Sequence, residues 1–391
     1  MMVIINGKII APRAVLEGHC VVIDGSTIKQ VAPTSQVLWP EDAQVIDAAG
    51  GFVAPGFIDL HVHGAMGHDT MEASVEALAQ IAKFHLAGGT TAMTPTVMTD
   101  SSERIGAALI AIQQAMGHDF GGAQILGAHI EGPYVSRERR GAQPAQHVRN
   151  PNPDEYILWL DRDGLVTQMT LAPELPGALE LIDALLEREL LPSGGHTNAT
   201  HEQTRAAVER GLCQATHVFN CMSSMGKAGA WRVPGALETF LADERVMVEL
   251  IADGKHVHPE LMRLAVHAKG VDRVCLVTDA TAGTGLDEGS GFQVGGTTGV
   301  VRDGVGMMPD GSALVGSVST MAAMMRNAVQ LAGVSLVDAV RMASLNPARA
   351  LSISGRKGSI EPRKDADIVI LTPEFEVRKT LVGGRVEFEV Q

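Results

Sequence analysis

Apolar and polar positions follow a repeating pattern through the middle of this chain. Between residues 51 and 350, short apolar or β-branched runs alternate with stretches of helical periodicity, which is typical of a parallel α/β fold. Eight strands are predicted, at residues 53–61, 90–97, 125–130, 166–172, 190–195, 213–218, 246–252 and 273–278. Helices are predicted between them, for example over 74–86, 178–189 and 201–210. Eight strand–helix units predict a (β/α)8 barrel, a TIM-like barrel.

The two ends of the chain have a strand–turn–strand pattern instead. Four apolar segments carry it, at residues 3–10, 20–28, 367–371 and 377–390. Asn-Gly and Asp-Gly dipeptides supply turn signals in the first two. Neither end is large enough to fold alone. We therefore predict a small β-sandwich domain built from residues 1–50 and 355–391, with the barrel as the catalytic domain at 51–354.

One long segment between the predicted elements is irregular. Residues 283–316 are rich in glycine and threonine. Loops of this length without structure of their own are uncommon and usually functional. We expect a β-hairpin excursion over the active face.

Composition and charge narrow the class of protein. The 391 residues are 45% hydrophobic and 19% charged, as in an ordinary globular protein with a large core. The net charge of −14 argues against a nucleic-acid partner, which would need a basic face. No apolar stretch is long enough to cross a bilayer, so no membrane partner is expected.

Cysteine usage and the N-terminal residues indicate a compartment. The four cysteines, Cys20, Cys213, Cys221 and Cys275, show no CxxC spacing, so neither a disulfide framework nor a cysteine–zinc site is predicted. Residues 1–8 are typical of a strand and a turn, not of a targeting signal. We expect a soluble, cytoplasmic protein.

Histidines and carboxylates lie at the ends of the predicted strands. His61 and His63 follow the first strand, and residues two apart on a strand point to the same side. Four more follow the third, fifth, sixth and eighth strands, namely Glu131, His196, His217 and Asp279. The C-terminal face of a barrel brings strand ends together, so we expect these six side chains to converge.

Imidazole and carboxylate groups are common ligands of divalent metals. Glu131, His196 and His217 offer three ligands and leave an open position for water on a Zn²⁺-like ion, which lowers the pKa of that water to about 7. His61 and His63 are candidates for a second ion, with Glu131 as the bridge. The ligand types allow one or two ions of Zn²⁺, Fe²⁺, Mn²⁺ or Co²⁺.

Asp279 is predicted to be the general acid/base that takes a proton from the attacking water and passes it to a departing amine. Each candidate also has a structural interpretation. His196 and His217 are each compatible with a hydrogen-bonded core histidine, and Asp279 with an N-cap. Their joint placement at successive strand ends favours a metal-dependent hydrolase.

These segments resemble the amidohydrolase superfamily, and more closely the N-acetylglucosamine-6-phosphate deacetylases. The motifs that carry the resemblance are PGFIDLHVHG at 55–64, HIEGP at 129–133, GHTN at 195–198, THVFN at 216–220, IADGKH at 251–256, LVTDATA at 276–282, LVGSVSTM at 314–321 and ASLNPA at 343–348. The resemblance covers nearly the whole chain. It implies a homodimer that removes acetate from an N-acetylamino-sugar 6-phosphate, with N-acetylglucosamine 6-phosphate favoured.

The resemblance also implies a set of substrate contacts. Asn220 and the backbone amide of Cys221 would bind the sugar phosphate, assisted by Arg232. His256 would reach across from the partner subunit. Gln143 stands where the family commonly has a histidine that faces the substrate.

Two departures from the family pattern leave the substrate open. Residues 226–231 are extra and displace Arg232 along the sequence relative to the family pattern, so Lys227 and Arg139-Arg140 are alternative anion-binding candidates. Gln143 cannot carry the positive charge of a histidine. Hydrolysis of another N-acyl or cyclic amide therefore stays an alternative, and either hexosamine epimer is allowed. A catalytically inactive scaffold would be expected to have lost ligands, whereas all six are present.

Overall fold

Eight parallel strands form a closed barrel in the computed structural model, which describes residues 1–390. In chain order they are β1 (Phe57–Val62), β2 (Thr90–Met98), β3 (Ala128–Glu131), β4 (Val166–Leu171), β5 (Leu191–Gly194), β6 (Gln214–Ala215), β7 (Met247–Ile251) and β8 (Val274–Val277). Each pairs with the next in parallel. A bridge between Val62 and Ala280 joins the end of the circuit to its start. The predicted fold class is confirmed.

The first predicted strand is divided between two domains. The sequence pattern predicts one strand over residues 53–61, but Phe52–Pro55 pairs within the small domain and β1 starts after Gly56. A Cβ atom at Gly56 would lie 2.1 Å from Oγ1 of Thr91. Glycine therefore permits the close approach at which the chain passes into the barrel. The domain division at residue 50 stays a prediction.

Ten helices accompany the described strands. They are α1 (Val75–Ala87), α2 (Ser102–Ala115), α3 (Pro153–Leu160), α4 (Ala178–Leu186), α5 (His201–Arg210), α6 (Ala236–Ala242), α7 (Pro259–Lys269), α8 (Met321–Gln330), α9 (Leu336–Ala343) and α10 (Leu345–Ala350), with 3-10 turns at Thr34–Gln36, Thr70–Glu72 and Val271–Arg273. The three helices named from the sequence are confirmed as α1, α4 and α5. Ser74 starts α1, because its side chain accepts a hydrogen bond from the backbone of Ala77.

Two sheets from both ends of the chain face each other in the small domain. In spatial order, the first contains Thr27–Pro33, His19–Asp24, Met2–Ile5 and Gln44–Asp47, and the second contains Arg385–Glu389, Val377–Val382, Ile368–Leu371, Phe52–Pro55, Lys8–Ala11 and Ala14–Leu16. Ile4 and Ile23 from the first sheet and Ile368 and Ile370 from the second belong to one buried apolar cluster. This arrangement is the predicted β-sandwich.

Three excursions extend from the barrel. The glycine- and threonine-rich segment, where a β-hairpin is predicted, forms a three-stranded antiparallel sheet with strands Gly291–Val294, Thr297–Arg302 and Val305–Met307. Two short hairpins pair Gly64–Ala65 with His68–Asp69, and Gly226–Ala228 with Trp231–Val233. A separate short parallel strand, Gln124–Ile125, pairs with β2.

The described helices, within residues 1–390, include none that is both long enough and apolar enough to cross a membrane.

The barrel interior is rich in buried polar side chains. They include Asp59, His61, Thr96, His129, Gln168, Thr170, Gln214, Thr216, Glu249 and Thr278. Hydrogen bonds connect them across strands, for example between His129 and Thr170 and between Thr170 and Thr216. Branched apolar residues dominate most barrel interiors, so this interior is specialised for holding polar groups in place.

His85 of α1 supports the end of β1. Its Nε2 donates a hydrogen bond to the carbonyl of Gly64 over 3.2 Å, and burial lowers the pKa of the imidazole to about 4. The histidine of the unfolded chain titrates near pH 6.5. Between these values the unfolded state binds a proton that the native state does not, so stability falls as the pH falls.

We predict that the His85→Gln variant does not show this loss of folding stability at acidic pH. The glutamine amide can still donate to Gly64 but does not titrate. Urea unfolding at pH 7.5 and pH 4.5 should show that the wild type loses about 2–3 kcal/mol more than the variant. An identical pH dependence in both proteins would contradict this prediction.

Candidate metal centre

Six side chains meet at the C-terminal face of the barrel. They come from the ends of β1, β3, β5, β6 and β8 and are His61, His63, Glu131, His196, His217 and Asp279. Their ligand atoms form two groups, each within 4.8 Å: one contains His61, His63 and Asp279, and the other contains Glu131, His196 and His217. The structure thus brings together all six residues that the sequence singles out for metal binding and proton transfer.

Glu131 lies between the two groups. Its Oε1 is 3.0 Å from Nε2 of His196 and 3.0 Å from Nε2 of His217. Its Oε2 is 3.3 Å from Nε2 of His63. Oε1 also lies 3.5 Å from Nε2 of His61, so the carboxylate of Glu131 is within reach of both groups, as a shared ligand would need to be.

Hydrogen bonds at Nδ1 determine the tautomers of His196 and His61, and so which ring nitrogen can accept at the centre. Nδ1 of His196 donates to the carbonyl of Arg139 over 2.9 Å, and Nδ1 of His61 donates to the carboxylate of Glu249 over 3.1 Å. Since these nitrogens carry the protons, the neutral rings direct the lone pairs of Nε2 toward the centre. This is the tautomer that a metal ligand needs.

Two close pairs of imidazole nitrogens also fit a bound cation. Nε2 of His61 lies 3.2 Å from Nε2 of His63, and Nε2 of His196 lies 3.2 Å from Nε2 of His217. Two lone pairs at that distance repel each other unless a proton or a cation lies between them. The donor set of imidazole nitrogen and carboxylate oxygen suits a divalent transition metal.

The charges in the centre are strongly coupled. Burial alone would lower the pKa of His63, but the carboxylates of Asp279 and Glu131 raise it to about 9. Burial alone would raise the pKa of Asp279, but His61 and His63 hold it below its usual range. Protons and a divalent ion therefore compete for the same site, and metal binding would release protons.

Three residues of the centre have left-handed backbone conformations. The angle φ is 45° at His196, 29° at His217 and 48° at Asp279. This region costs an L-residue about 1–2 kcal/mol, and such strain tends to concentrate at functional sites. The surrounding barrel keeps these strand ends turned toward the centre.

A cavity of about 270 Å³ lies above the metal centre. Asn220, Cys221, His256 and Gln143 all contribute to its wall. Nδ1 of His256 donates to Asp253 over 2.6 Å. The ring of His256 thus lines the cavity of its own chain, and the expectation that it reaches across from a partner subunit stays a prediction.

Gln143 contacts a residue of the metal centre directly. It is only 2% exposed. Its Oε1 accepts from the backbone N–H of Thr99 over 3.0 Å, and its Nε2 donates to Oε2 of Glu131 over 2.8 Å. The amide therefore orients Glu131, and a contact of Gln143 with substrate stays a prediction.

The basic candidates for anion binding lie outside the cavity. Arg232 and Lys227 face each other on an exposed hairpin. Arg139 donates to Asn198, and Arg140 donates to nearby carbonyls. Among residues 1–390, no lysine or arginine lines the cavity. Of the residues expected to bind the sugar phosphate, Asn220 and His256 line the cavity, whereas Arg232 does not.

Glu249 lies below the centre and was not predicted from the sequence. It is fully buried on β7, and its carboxylate accepts hydrogen bonds from the ring of His61 and the backbone N–H of His217. The available signal was a carboxylate in the middle of the apolar strand predicted at 246–252. An isolated acid there has no sequence neighbour that indicates its partner.

The chain is similar to known proteins over nearly its full length. Residues 52–386 match the Amidohydrolase family. The chain is 34% identical over 384 residues to N-acetylglucosamine-6-phosphate deacetylase of Bacillus subtilis (strain 168), covering 97% of this chain and 95% of that protein. It is 34% identical over 388 residues to N-acetylgalactosamine-6-phosphate deacetylase of Escherichia coli O157:H7, covering 97% of each.

A solved structure has the same fold throughout. The crystal structure of N-acetylglucosamine-6-phosphate deacetylase from Pasteurella multocida superposes with a TM-score of 0.92 at 34% sequence identity. The match covers 98% of this chain and 99% of the Pasteurella chain. The similarity therefore includes both the barrel and the β-sandwich.

We predict that the protein binds up to two divalent ions per chain and that a chelator lowers its Tm. An ion that binds only the native state adds about 2.7 kcal/mol at a hundredfold excess over its Kd. Elemental analysis should show that His63→Asn loses one ion, because the Glu131, His196 and His217 group remains intact.

His68→Asn is the matched control for this prediction. His68 lies five residues along the chain, its side chain is 40% exposed, and it belongs to neither ligand group. We expect its metal content to equal that of the wild type. Two results together would contradict the predicted metal centre. They are a wild-type protein in which elemental analysis finds no metal, even after incubation with divalent ions, and a Tm that neither those ions nor a chelator changes.

Proposed function

Because the chain belongs to the amidohydrolase family, we propose that it is a metal-dependent hydrolase that removes acetate from an N-acetylamino-sugar 6-phosphate. N-acetylglucosamine 6-phosphate is the favoured substrate, as the names of the Bacillus and Pasteurella relatives suggest. The observation that carries this proposal is the convergence of four histidines and two carboxylates at the base of a cavity of about 270 Å³.

Five side chains are proposed as metal ligands. Glu131, His196 and His217 would hold one ion, and His61 and His63 would hold a second, with Glu131 shared between them. A divalent ion bound there supplies Lewis-acid polarisation of the amide carbonyl and a lower pKa for the attacking water. We propose Zn²⁺, which accepts this nitrogen and oxygen ligand set, with Fe²⁺, Mn²⁺ and Co²⁺ as alternatives.

Asp279 is proposed as the residue that moves the proton. Its side chain is 13% exposed and lines the cavity, whereas that of His61 is fully buried. Without metal, the protonated histidines beside it hold the pKa of Asp279 low. When His61 and His63 serve as neutral ligands, a bound divalent ion would supply that positive charge instead, so the carboxylate is ionised and able to accept a proton from water. The water oxygen bonds to the amide carbonyl carbon, and the same proton then passes to the amine nitrogen as the C–N bond breaks, which gives acetate and the free amino sugar phosphate.

His256 and Asn220 are proposed to hold the sugar-phosphate end. Burial alone would lower the pKa of His256, but the bonded carboxylate of Asp253 raises it. A histidine with a raised pKa offers positive charge near neutral pH, which suits a phosphate. The backbone amide of Cys221 and the side chain of Gln143 remain further proposed contacts on the cavity wall.

We also propose that the protein is a cytoplasmic homodimer. All four cysteines are free, which accords with a reducing compartment. The hairpin that carries Arg232 also exposes Met225 at its base by 62% and Trp231 by 78%. Contiguous exposed apolar patches mark contact surfaces between proteins, and we propose this hairpin as part of the contact surface of the homodimer.

N-acetylgalactosamine 6-phosphate is the second candidate substrate. The Escherichia coli relative that is named for this epimer shares the same 34% identity over nearly the whole chain. The two sugars differ in the direction of one hydroxyl group, and a wall residue such as Gln143 can distinguish them only through a specific hydrogen bond.

We predict acetate release by the metal-loaded protein from a phosphorylated N-acetylhexosamine, and much weaker release from the unphosphorylated sugar. The assay compares N-acetylglucosamine 6-phosphate, its galactosamine epimer and free N-acetylglucosamine. Preference for one phosphorylated epimer identifies the substrate. Absence of turnover with all three, from protein that demonstrably holds metal, would reject the amino-sugar phosphate and favour another N-acyl substrate.

We predict that Asp279→Asn lowers kcat by about 10²–10⁴-fold, because general acid/base catalysis contributes about that much. The variant should retain metal, since all five proposed ligands remain. Elemental analysis of the assayed sample separates loss of the proton carrier from loss of the ion. Asp310→Asn, at an exposed position outside the cavity, is the control with wild-type turnover. Unimpaired turnover in Asp279→Asn would remove Asp279 from the mechanism.

A further inference from the structure

The carboxylate of Glu249 connects the two ligand groups from below. Its Oε2 accepts from Nδ1 of His61 over 3.1 Å and from the backbone N–H of His217 over 3.3 Å. His61 and His217 belong to different ligand groups. Glu249 does not line the cavity, so it contacts the metal centre without access to the substrate.

The barrel holds this carboxylate rigidly from the other side. Oε1 of Glu249 accepts from Nε2 of Gln214 over 2.7 Å, and the same nitrogen lies 3.1 Å from Oε1 of Gln168. Nε2 of Gln168 donates to the carbonyl of Leu60 over 2.6 Å. A chain of hydrogen bonds thus runs from β7 through β6 and β4 to β1, immediately before His61.

We propose that Glu249 is a positioning residue that orients His61 and thereby determines the binding of the second metal ion. A carboxylate bonded to Nδ1–H fixes the tautomer and the rotation of an imidazole, and it makes the opposite nitrogen a better ligand. The inference rests on the proposed function only in requiring that the centre binds metal.

The two ions are expected to depend on Glu249 to different extents. Its contact with His61 is to the ring, which supplies the ligand atom itself. Its contact with His217 is to the backbone, and the adjacent Val218 N–H is held separately by the main-chain carbonyl of Glu249 over 2.9 Å. That main-chain bond survives any substitution of the side chain. Loss of the carboxylate should therefore weaken the ion at His61 and His63 first.

Asp59 offers a matched control on the same strand as His61. It is fully buried, like Glu249. Its carboxylate accepts from the backbone N–H of His61 over 3.3 Å and from Thr278. It has no hydrogen bond to the ring of His61. Asp59→Asn therefore tests whether any change to a buried carboxyl group of the barrel disturbs the metals.

The experiment measures metal binding in Glu249→Ala, Glu249→Gln, Asp59→Asn and wild-type protein. Each apo protein is titrated with Zn²⁺ against a chelator, and the visible spectrum of the Co²⁺ form is recorded. We expect Glu249→Ala to bind one ion about 10–100-fold more weakly, with a changed Co²⁺ spectrum, while the other ion binds nearly as in the wild type. Glu249→Gln keeps an acceptor for Nδ1–H and should lose less affinity. Asp59→Asn should bind both ions normally.

Wild-type affinity for both ions in the two Glu249 variants would overturn the inference, as would an equal loss in Asp59→Asn. A wild-type protein that binds only one ion would overturn it too. If Glu249→Ala does not fold, Glu249→Gln carries the test, and the Tm of the apo proteins reports any general loss of stability.

Acetate release by the wild type is measured separately. A wild type that binds two ions but releases no acetate would reject the proposed function and leave the role of Glu249 standing.

Discussion

The metal centre depends on one constraint, which is that the charge of Glu131 must be compensated inside the protein. A buried carboxylate is strongly unfavourable unless partners surround it. Here Nε2 atoms of His196 and His217 lie 3.0 Å from one oxygen, and the amide of Gln143 donates to the other. Each partner comes from a different segment, so the centre exists only when β3, β5, β6 and the loop at Gln143 are all in place.

Hydrogen bonds in the polar barrel interior hold the strands that carry the candidate ligands in place. Most barrels are filled by branched apolar side chains, whereas this one places hydrogen-bonded layers below the ligands. Gln168 and Gln214 connect strands that are not neighbours in the sheet. Buried polar groups are costly when unpaired, so this network stabilises a single arrangement and leaves little freedom for the candidate ligands to shift.

The barrel, the β-sandwich and most of the candidate metal ligands could be predicted from the sequence, because they depend on local patterns of apolar and polar residues. The alternation of apolar runs and helical periodicity determined the eight strands, and a residue that directly follows a strand must lie at its end. Barrel topology then places His61, Glu131, His196, His217 and Asp279 on one face. The turn signals and apolar segments at the two ends likewise indicated a β-sandwich that needs both ends of the chain.

Only the tertiary structure decided the contacts that depend on distant segments. Asp253 turns His256 into its own cavity, the hairpin carries Arg232 away from it, and Glu249 reaches His61 across the barrel, although 188 residues separate them in sequence. The strand pattern places a side chain at a strand end or inside the barrel, but hydrogen-bond geometry and packing select its partner. Those selections are made only when all eight strands have closed.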